Sequence, residues 1–270
     1  MIKIVRARLH QGHQTTTYPS QVPRLPERFR GKLELSPEKC PDGCAECVDA
    51  CPTGAISGAG RADLKLDLGR CIFCTECVEA CPVKAIAYTS EFRMSARTRE
   101  ALVVRDREAV LAEALDRKIR GLFGRSLKLR QVSAGGCNGC EVEVNALSNV
   151  VFDLGRFGIQ FVASPRHADG LLITGPVTRN MKLALEKTYA AVPAPKLVIA
   201  AGACAIAGGP FIGMSSVHDG ARSTVPVDLF IPGCPPHPLT LLDGLLRLLG
   251  RVEGRTGLSS HQDRGDPNQA

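Results

Sequence analysis

Short β-rich runs punctuate the second half of the chain at Ser126 to Val132, Gly158 to Ala163, Leu171 to Thr174, Lys196 to Ala201 and Val227 to Ile231. Each is bounded by glycine, proline or polar residues, the pattern of buried strands ending in loops. Helical spacing of apolar residues intervenes at about Glu141–Phe152, Asn180–Ala191 and Pro238–Gly250. Strand and helix therefore alternate, which predicts an open, mostly parallel sheet covered by helices. Upstream, residues 98–121 repeat apolar positions at roughly helical spacing and stop at Gly121, predicting a linker helix. Gln11 to Arg30 holds Pro19, Pro23 and Pro26 among Thr, Gln and Arg, too polar to bury a core of its own. This arm is expected to order by wrapping a partner. Arg251 to Ala270, polar and interrupted by Gly254, Gly257, Gly265 and Pro267, reads as a disordered tail.

The alternating half is expected to be a flavodoxin-like doubly wound layer, α/β in class. A chain of 270 residues exceeds what one compact core usually needs, so two folded modules are expected. With no Trp, three Tyr and nine Phe, the core must come mainly from Leu, Val, Ile and Ala. Disordered, collagen-like and low-complexity classes are excluded by the 44% hydrophobic content. Neither a signal-peptide run nor about 18 uninterrupted apolar residues occurs, so the reading is cytoplasmic, with any membrane association made through partners.

The net charge of +7 is uneven. Residues 1–39 carry eight Lys/Arg against three acids, 40–90 four against seven, 91–130 eleven against six, and 131–270 eleven of each. Basicity thus sits in the arm and the linker; a nucleic-acid or anionic-lipid patch competes with the preferred reading, in which they lie on acidic or polar partner surfaces, and the interleaved aromatics of a nucleic-acid site are lacking.

Twelve cysteines decide the chemistry, because a reducing compartment does not turn them into disulfides and their spacing points to metal. Cys44, Cys47, Cys51, Pro52, Ala55 and Ile56 recur 30 positions later as Cys74, Cys77, Cys81, Pro82, Ala85 and Ile86. The second unit, Cys71-x2-Cys74-x2-Cys77-x3-Cys81-Pro82, has the spacing by which a bacterial-type ferredoxin holds a cubane cluster, its fourth cysteine reaching across to the other cluster. The first unit, Cys40-x3-Cys44-x2-Cys47-x3-Cys51-Pro52, is one residue longer between its first two ligands. The carry-over predicts one 4Fe-4S cluster on Cys40, Cys44, Cys47 and Cys81, and a second on Cys71, Cys74, Cys77 and Cys51. Two structural zinc sites are the competing reading, and four cysteines within so few residues ending in Cys-Pro fit them poorly.

The other four cysteines follow predicted strands: Cys137 and Cys140 the first, Cys204 the fourth, Cys234 the fifth. Loops at strand carboxyl ends converge in such a sheet, so four thiols distant in sequence can meet at a third 4Fe-4S cluster. Four for each of three sites uses every cysteine.

Ser133 to Glu143 (SAGGCNGCEVE), Pro165 to Asp169 (PRHAD), Thr174 to Met181 (TGPVTRNM), Ala201 to Cys204 (AGAC) and Pro232 to Pro236 (PGCPP) resemble the small subunit of membrane-bound, formate-hydrogenlyase-type nickel-iron hydrogenases and its complex I 20 kDa relative. The spaced pair Cys137 and Cys140, where complex I has adjacent cysteines, favours the hydrogenase branch. Residues 1–91 separately resemble the two-cluster ferredoxin-like subunit of the same complexes, so the chain looks like a fusion. The expected organisation is an extended, partner-wrapping arm at 1–36, a 2×4Fe-4S ferredoxin-like domain of α+β type at 37–91, a linker helix at 92–125, the hydrogenase small-subunit-like domain at 126–250 and a disordered tail at 251–270.

The resemblance implies an electron-transfer subunit carrying three 4Fe-4S clusters, with the nickel-iron centre in a partner large subunit and no turnover centre in this chain. It also implies further electron-transfer subunits of a peripheral arm, and membrane subunits that hold the complex on the cytoplasmic face of the inner membrane. A nickel-free or complex I-like quinone or ferredoxin oxidoreductase is the alternative. Glu143, three positions after Cys140, matches a carboxylate of the resembled subunits and is a candidate proton relay, with Glu141 better suited to a helix first turn. His167 is read as either a hydrogen-bond donor to cluster sulfur or the start of a turn, His237 as a loop residue, and Arg179, opening a helix, as either a partner contact or a solvated helix terminus. No G-x-G-x-x-G or Gly-Lys-Ser/Thr loop supports a nucleotide site.

Overall fold

The structure, a computed structural model, describes residues 2–105, 110–123 and 126–252. Its elements in chain order are α1 (Ile2–Gln11), β1 (Leu33–Leu35), α2 (Glu46–Asp49), β2 (Ile56–Ser57), α3 (Gly60–Asp63), β3 (Lys65–Asp67), α4 (Glu76–Ala80), β4 (Ile86–Tyr88), β5 (Val103–Val104), α5 (Arg117–Phe123), β6 (Leu127–Ser133), α6 (Gly139–Ala146), β7 (Ile159–Phe161), β8 (Gly170–Thr174), α7 (Arg179–Ala191), β9 (Leu197–Ala201), α8 (Ala203–Ala207), β10 (Leu229–Ile231) and α9 (Pro238–Leu248).

The second module is a five-stranded, all-parallel sheet in the order β10-β9-β8-β6-β7. Counted within the module this is 2-1-3-4-5, the flavodoxin-like order that the sequence predicts. Strands β8 and β9 are buried throughout and sit at the centre, as unbroken apolar runs should in a sheet covered on both faces. Alternation then assigns the faces. Leu171, Ile173, Val198 and Ala200 join one core, while Leu172, Leu197, Ile199 and Ala201 join the other with α9.

The first of these cores continues into the ferredoxin-like module, where Leu33, Ile56, Leu66 and Ile86 belong to the same cluster. That module pairs β1 with β4 and stacks β2-β3-β5 as a second antiparallel sheet. Strand β1 lies within the segment assigned to the arm, so the module begins before residue 37.

Two expectations are corrected. Residues 98–121 are not one helix: Glu100–Leu102 is a single 3-10 turn, Val103–Val104 pairs with β3, and among the described residues of this stretch α-helix begins only at Arg117, in Arg117–Phe123. Upstream, Ala96 bridges Phe230 at the sheet edge. Apolar spacing alone did not show that β3 and β10 offered these backbone groups partners. The arm, in turn, is not extended throughout, since α1 is helical, and its next segment wraps this chain's own second module. Thr16 donates to the Val151 carbonyl at 2.8 Å, Arg156 donates to the carbonyls of Thr16 and Tyr18, and the Tyr18 hydroxyl donates to Asp243 at 2.5 Å. The tail predicted from residue 251 lies almost wholly outside the described residues. Among the described residues no helix is long and apolar enough to cross a membrane.

Candidate metal centres

The thiols fall into three electrostatic neighbourhoods. Burial raises Cys40, and the thiols of Cys81 and Cys44 add to it; burial lifts Cys47 to about 11, with Cys81, Cys40 and Cys44 contributing. Cys71 is pushed by burial to about 12 against the Phe73 amide, with Cys77, Cys51 and Cys74 raising it further. Cys77 reaches about 12 through burial and then Cys51 and Cys74. Burial likewise holds Cys140 far above the usual thiol range and takes Cys204 to about 12, with Cys204, Cys234 and Cys137 among the neighbours of Cys140, and Cys234 and Cys137 those of Cys204. The structure thus brings together Cys40, Cys44, Cys47 and Cys81; Cys51, Cys71, Cys74 and Cys77; and Cys137, Cys140, Cys204 and Cys234.

The exchange of Cys51 and Cys81 between the repeats follows from the approach of α2 to α4. Each of these cysteines accepts an amide four residues on: Ala55 donates to Cys51 Sγ at 3.2 Å and Ala85 to Cys81 Sγ at 3.1 Å. The 30-residue repeat therefore extends to hydrogen bonding. Phe73 donates to Cys71 Sγ at 3.4 Å, and the second thiol set lines an apolar recess with Leu33, Ile56, Leu66 and Tyr88.

In the second module, Cys137 and Cys140 flank the start of α6 after β6, Cys204 lies in α8 after β9, and Cys234 follows β10. All are at carboxyl ends of strands, where the parallel sheet gathers its loops. The fit is tight. A Cβ on Gly202 would lie 2.5 Å from Cys140 Sγ, and one on Gly209 2.8 Å from Cys204 Sγ. Both glycines also have positive φ, +93° and +56°, so the cage demands them twice over. Asn138 at φ +73°, Phe73 at +56° and Thr75 at +85° show the same left-handed turn between neighbouring cysteines. Sequence reading passed over these three, although Asn is the residue best suited to that conformation.

Among the described residues no group of three His, Cys, Asp or Glu is arranged to hold a single metal ion. The sets instead offer what a larger sulfur-rich cluster needs: four thiols each, amide donors on sulfur, and glycine backbone at the sulfur surface.

The polar candidates separate clearly. Glu141 is buried and accepts the Ser133 hydroxyl at 2.6 Å and the Thr174 hydroxyl at 2.7 Å. Burial opposes its charge, but these donors and its own amide hold the carboxyl below the usual range. Glu143 is raised by burial and lines a cavity of about 280 Å³ with Arg28, Arg30, Phe73, Cys234 and His237. His237 is more than a loop residue: its Nδ1 caps α9 by accepting the Leu239 amide at 3.2 Å, and its ring meets Phe29 and Phe152 edge-on. Burial lowers its pKa. His167 is exposed in a 3-10 turn before β8, where Asp169 pairs with Lys128 at the amino end of β6; the sulfur cage lies past the other end of the sheet. The donor role for His167 is therefore overturned. Arg179 is exposed at the start of α7.

Residues 137–248 match the family described as NADH ubiquinone oxidoreductase, 20 Kd subunit, and residues 39–85 that described as 4Fe-4S dicluster domain. A probable membrane-bound hydrogenase subunit of Pyrococcus furiosus is 38% identical over 147 residues, which cover 54% of this chain and 88% of that subunit. The chain belongs to the 20 kDa-subunit family of NADH ubiquinone oxidoreductase. Within this family, an NADH-quinone oxidoreductase subunit of Clostridium beijerinckii is 44% identical over 114 residues, 42% of this chain and 68% of its own. Formate hydrogenlyase subunit 7 of Escherichia coli is 47% identical over 129 residues, 48% of this chain and 51% of its own. The chain thus spans about half the length of that relative. The dicluster match precedes the 20 kDa match in one polypeptide, as the cysteine motifs predict.

Proposed function

We propose that the chain is the electron-transfer subunit of a membrane-associated nickel-iron hydrogenase complex, conducting electrons between a donor or acceptor subunit and the active site of a large subunit. The observation that carries the reading is the sorting of all twelve cysteines into three groups of four. Each group would hold one 4Fe-4S cluster, which supplies one-electron transfer when bound. The arrangement of the chain's own residues supports an order along the path. Cys234 is raised by burial, by Cys137 and then by Cys74, so the third thiol set borders the second; Cys77 is raised in part by Cys47, so the second borders the first. Phe73 and Arg30 close the gap between modules, Arg30 donating to the Phe73 carbonyl at 3.1 Å. Cys137 is exposed, which suits coverage by a large subunit.

The fusion would occupy 1–250 as arm, dicluster module, linker and small-subunit-like module, set on the cytoplasmic face of the membrane with its partners. Glu143, in the cavity beside Cys234 and raised by burial, would exchange protons at the large-subunit face. A second reading, a complex I-like oxidoreductase without nickel, is favoured by the similarity to the NADH-quinone oxidoreductase subunit of Clostridium beijerinckii.

Anaerobic iron, sulfide, zinc and nickel analysis of the co-purified complex, with hydrogen-dependent dye reduction, tests both. The expected result is about twelve irons and twelve sulfides per chain, with nickel and hydrogen activity in the complex. Full iron without nickel selects the second reading. Stoichiometric zinc without sulfide overturns both.

A further inference from the structure

Helix α1 belongs to neither module. None of its residues is buried, and it carries Lys3, Arg6 and Arg8 with no acidic residue. Ile2 is 85% exposed, Val5 58% and Leu9 78%. These three stand at i, i+3 and i+7, so they form one apolar stripe, and together with Arg6 they line a shallow recess. At 100° per residue, Arg6 falls on one flank of the stripe and Arg8 on the other. Ile4, 74% exposed, falls on the opposite side of the helix, outside the stripe. The only side-chain bond of the helix described is Arg8 to the Gly12 carbonyl at 2.9 Å, within the segment itself.

A helix of ten residues is about 15 Å long, and a stripe of three side chains falls far short of the roughly 800 Å² per partner that a stable protein interface needs. A bilayer surface demands less, because it takes an apolar stripe to shallow depth and attracts flanking cations by its own negative potential. We infer that α1 docks on an anionic lipid surface, with Ile2, Val5 and Leu9 at the acyl boundary and Lys3, Arg6 and Arg8 reaching lipid phosphates. Arg and Lys stems lie along apolar surface while their heads reach the headgroups, so the flanking positions suit them. Docking on a helix this short is weak alone and adds to whatever partner subunits contribute. The inference stands apart from the hydrogenase reading, since it uses none of the cysteines.

The test is co-sedimentation of the full iron-loaded chain with vesicles of phosphatidylcholine, alone or mixed with phosphatidylglycerol. Binding is expected to the mixed vesicles only, and to fall with added salt. The triple variant Lys3→Gln, Arg6→Gln, Arg8→Gln is expected to lose on the order of 100-fold in partitioning, about fivefold per basic residue. Val5→Gln with Leu9→Gln keeps the charges and should also abolish binding. Unchanged iron content establishes that the variants fold. Equal binding to neutral vesicles, no response to either variant, or loss of a co-purifying protein in place of vesicle binding would overturn the inference.

Discussion

Gly202 lies where a methyl group and a sulfur atom would compete for the same space. Its φ of +93° and the 2.5 Å approach of a built Cβ to Cys140 Sγ make Gly202→Ala costly in two independent ways. The expected outcome is loss of about four irons per chain with the dicluster module still loaded, read by iron analysis and electron paramagnetic resonance. Gly121→Ala, where nothing lies within 4 Å, is the control and should retain full iron. His237 gives a pH-dependent prediction at the same scale. Its half-buried ring caps α9 in the neutral form, and its folded pKa lies below the unfolded value of about 6.5. Stability from the cap is thus complete above that value and is lost as pH falls through the folded pKa. Glu143, raised by burial in the same cavity, titrates with opposite sign. The informative quantity is therefore the difference between wild type and His237→Asn, which keeps a cap that does not titrate. Urea midpoints should fall more steeply in wild type between about pH 6.5 and 5; parallel curves would contradict the capping role.

At the scale of elements, α9 is the least expected feature. All eleven of its residues are buried, including Asp243 and Arg247, which stand one turn apart. Arg247 Nε donates to Asp243 at 2.8 Å and the arm supplies the remaining donor, Tyr18. Burial holds Tyr18 far above the usual phenol range, aided by the Asp243 charge, so the hydroxyl stays a donor at neutral pH. Tyr18→Phe should cost about 1–3 kcal/mol, the price of a buried carboxylate that has lost a partner, and should release the arm to proteolysis near Pro19. The measurement is chemical unfolding with limited proteolysis of both forms. The same logic explains the linker. Leu115 donates to the Leu248 carbonyl at 2.9 Å and Ala112 to Ser95 at 2.7 Å, so this segment is built as a cover for α9. Helical spacing within it was real but local; the partners that decided its shape lie far away in sequence.

For the molecule as a whole, one core runs from the dicluster module into the parallel sheet, joining Leu66 and Ile56 to Ile173 and Val198. Additional ties are the Ala96–Phe230 bridge and the hydrogen bond from Arg97 to the Asp228 carbonyl at 2.9 Å. Calorimetry of the iron-loaded chain should therefore show a single cooperative transition, and two resolved transitions would contradict a shared core. The short strands and four- to five-residue helices of the first module depend on metal for much of their stability. Removal of iron should lower the whole transition, since a core held in common cannot melt on one side alone.

The sequence by itself determined whatever is local or periodic: five strands within a residue or two, the helices α7 and α9, the start of α6 but not its end at Ala146, and the 30-residue cysteine repeat. Spacing so regular leaves few ways to satisfy it. Only the tertiary structure decided where the arm lies, why the linker is broken, that α9 is wholly buried and that the third thiol set borders the second. Those outcomes depend on backbone and side-chain partners more than a hundred residues apart, such as Tyr18 with Asp243, and no local pattern encodes which distant group will meet a buried polar atom. His167 stayed open between a donor to cluster sulfur and a turn for the same reason, since motif adjacency does not say at which end of a sheet a turn will stand; the structure selects the turn.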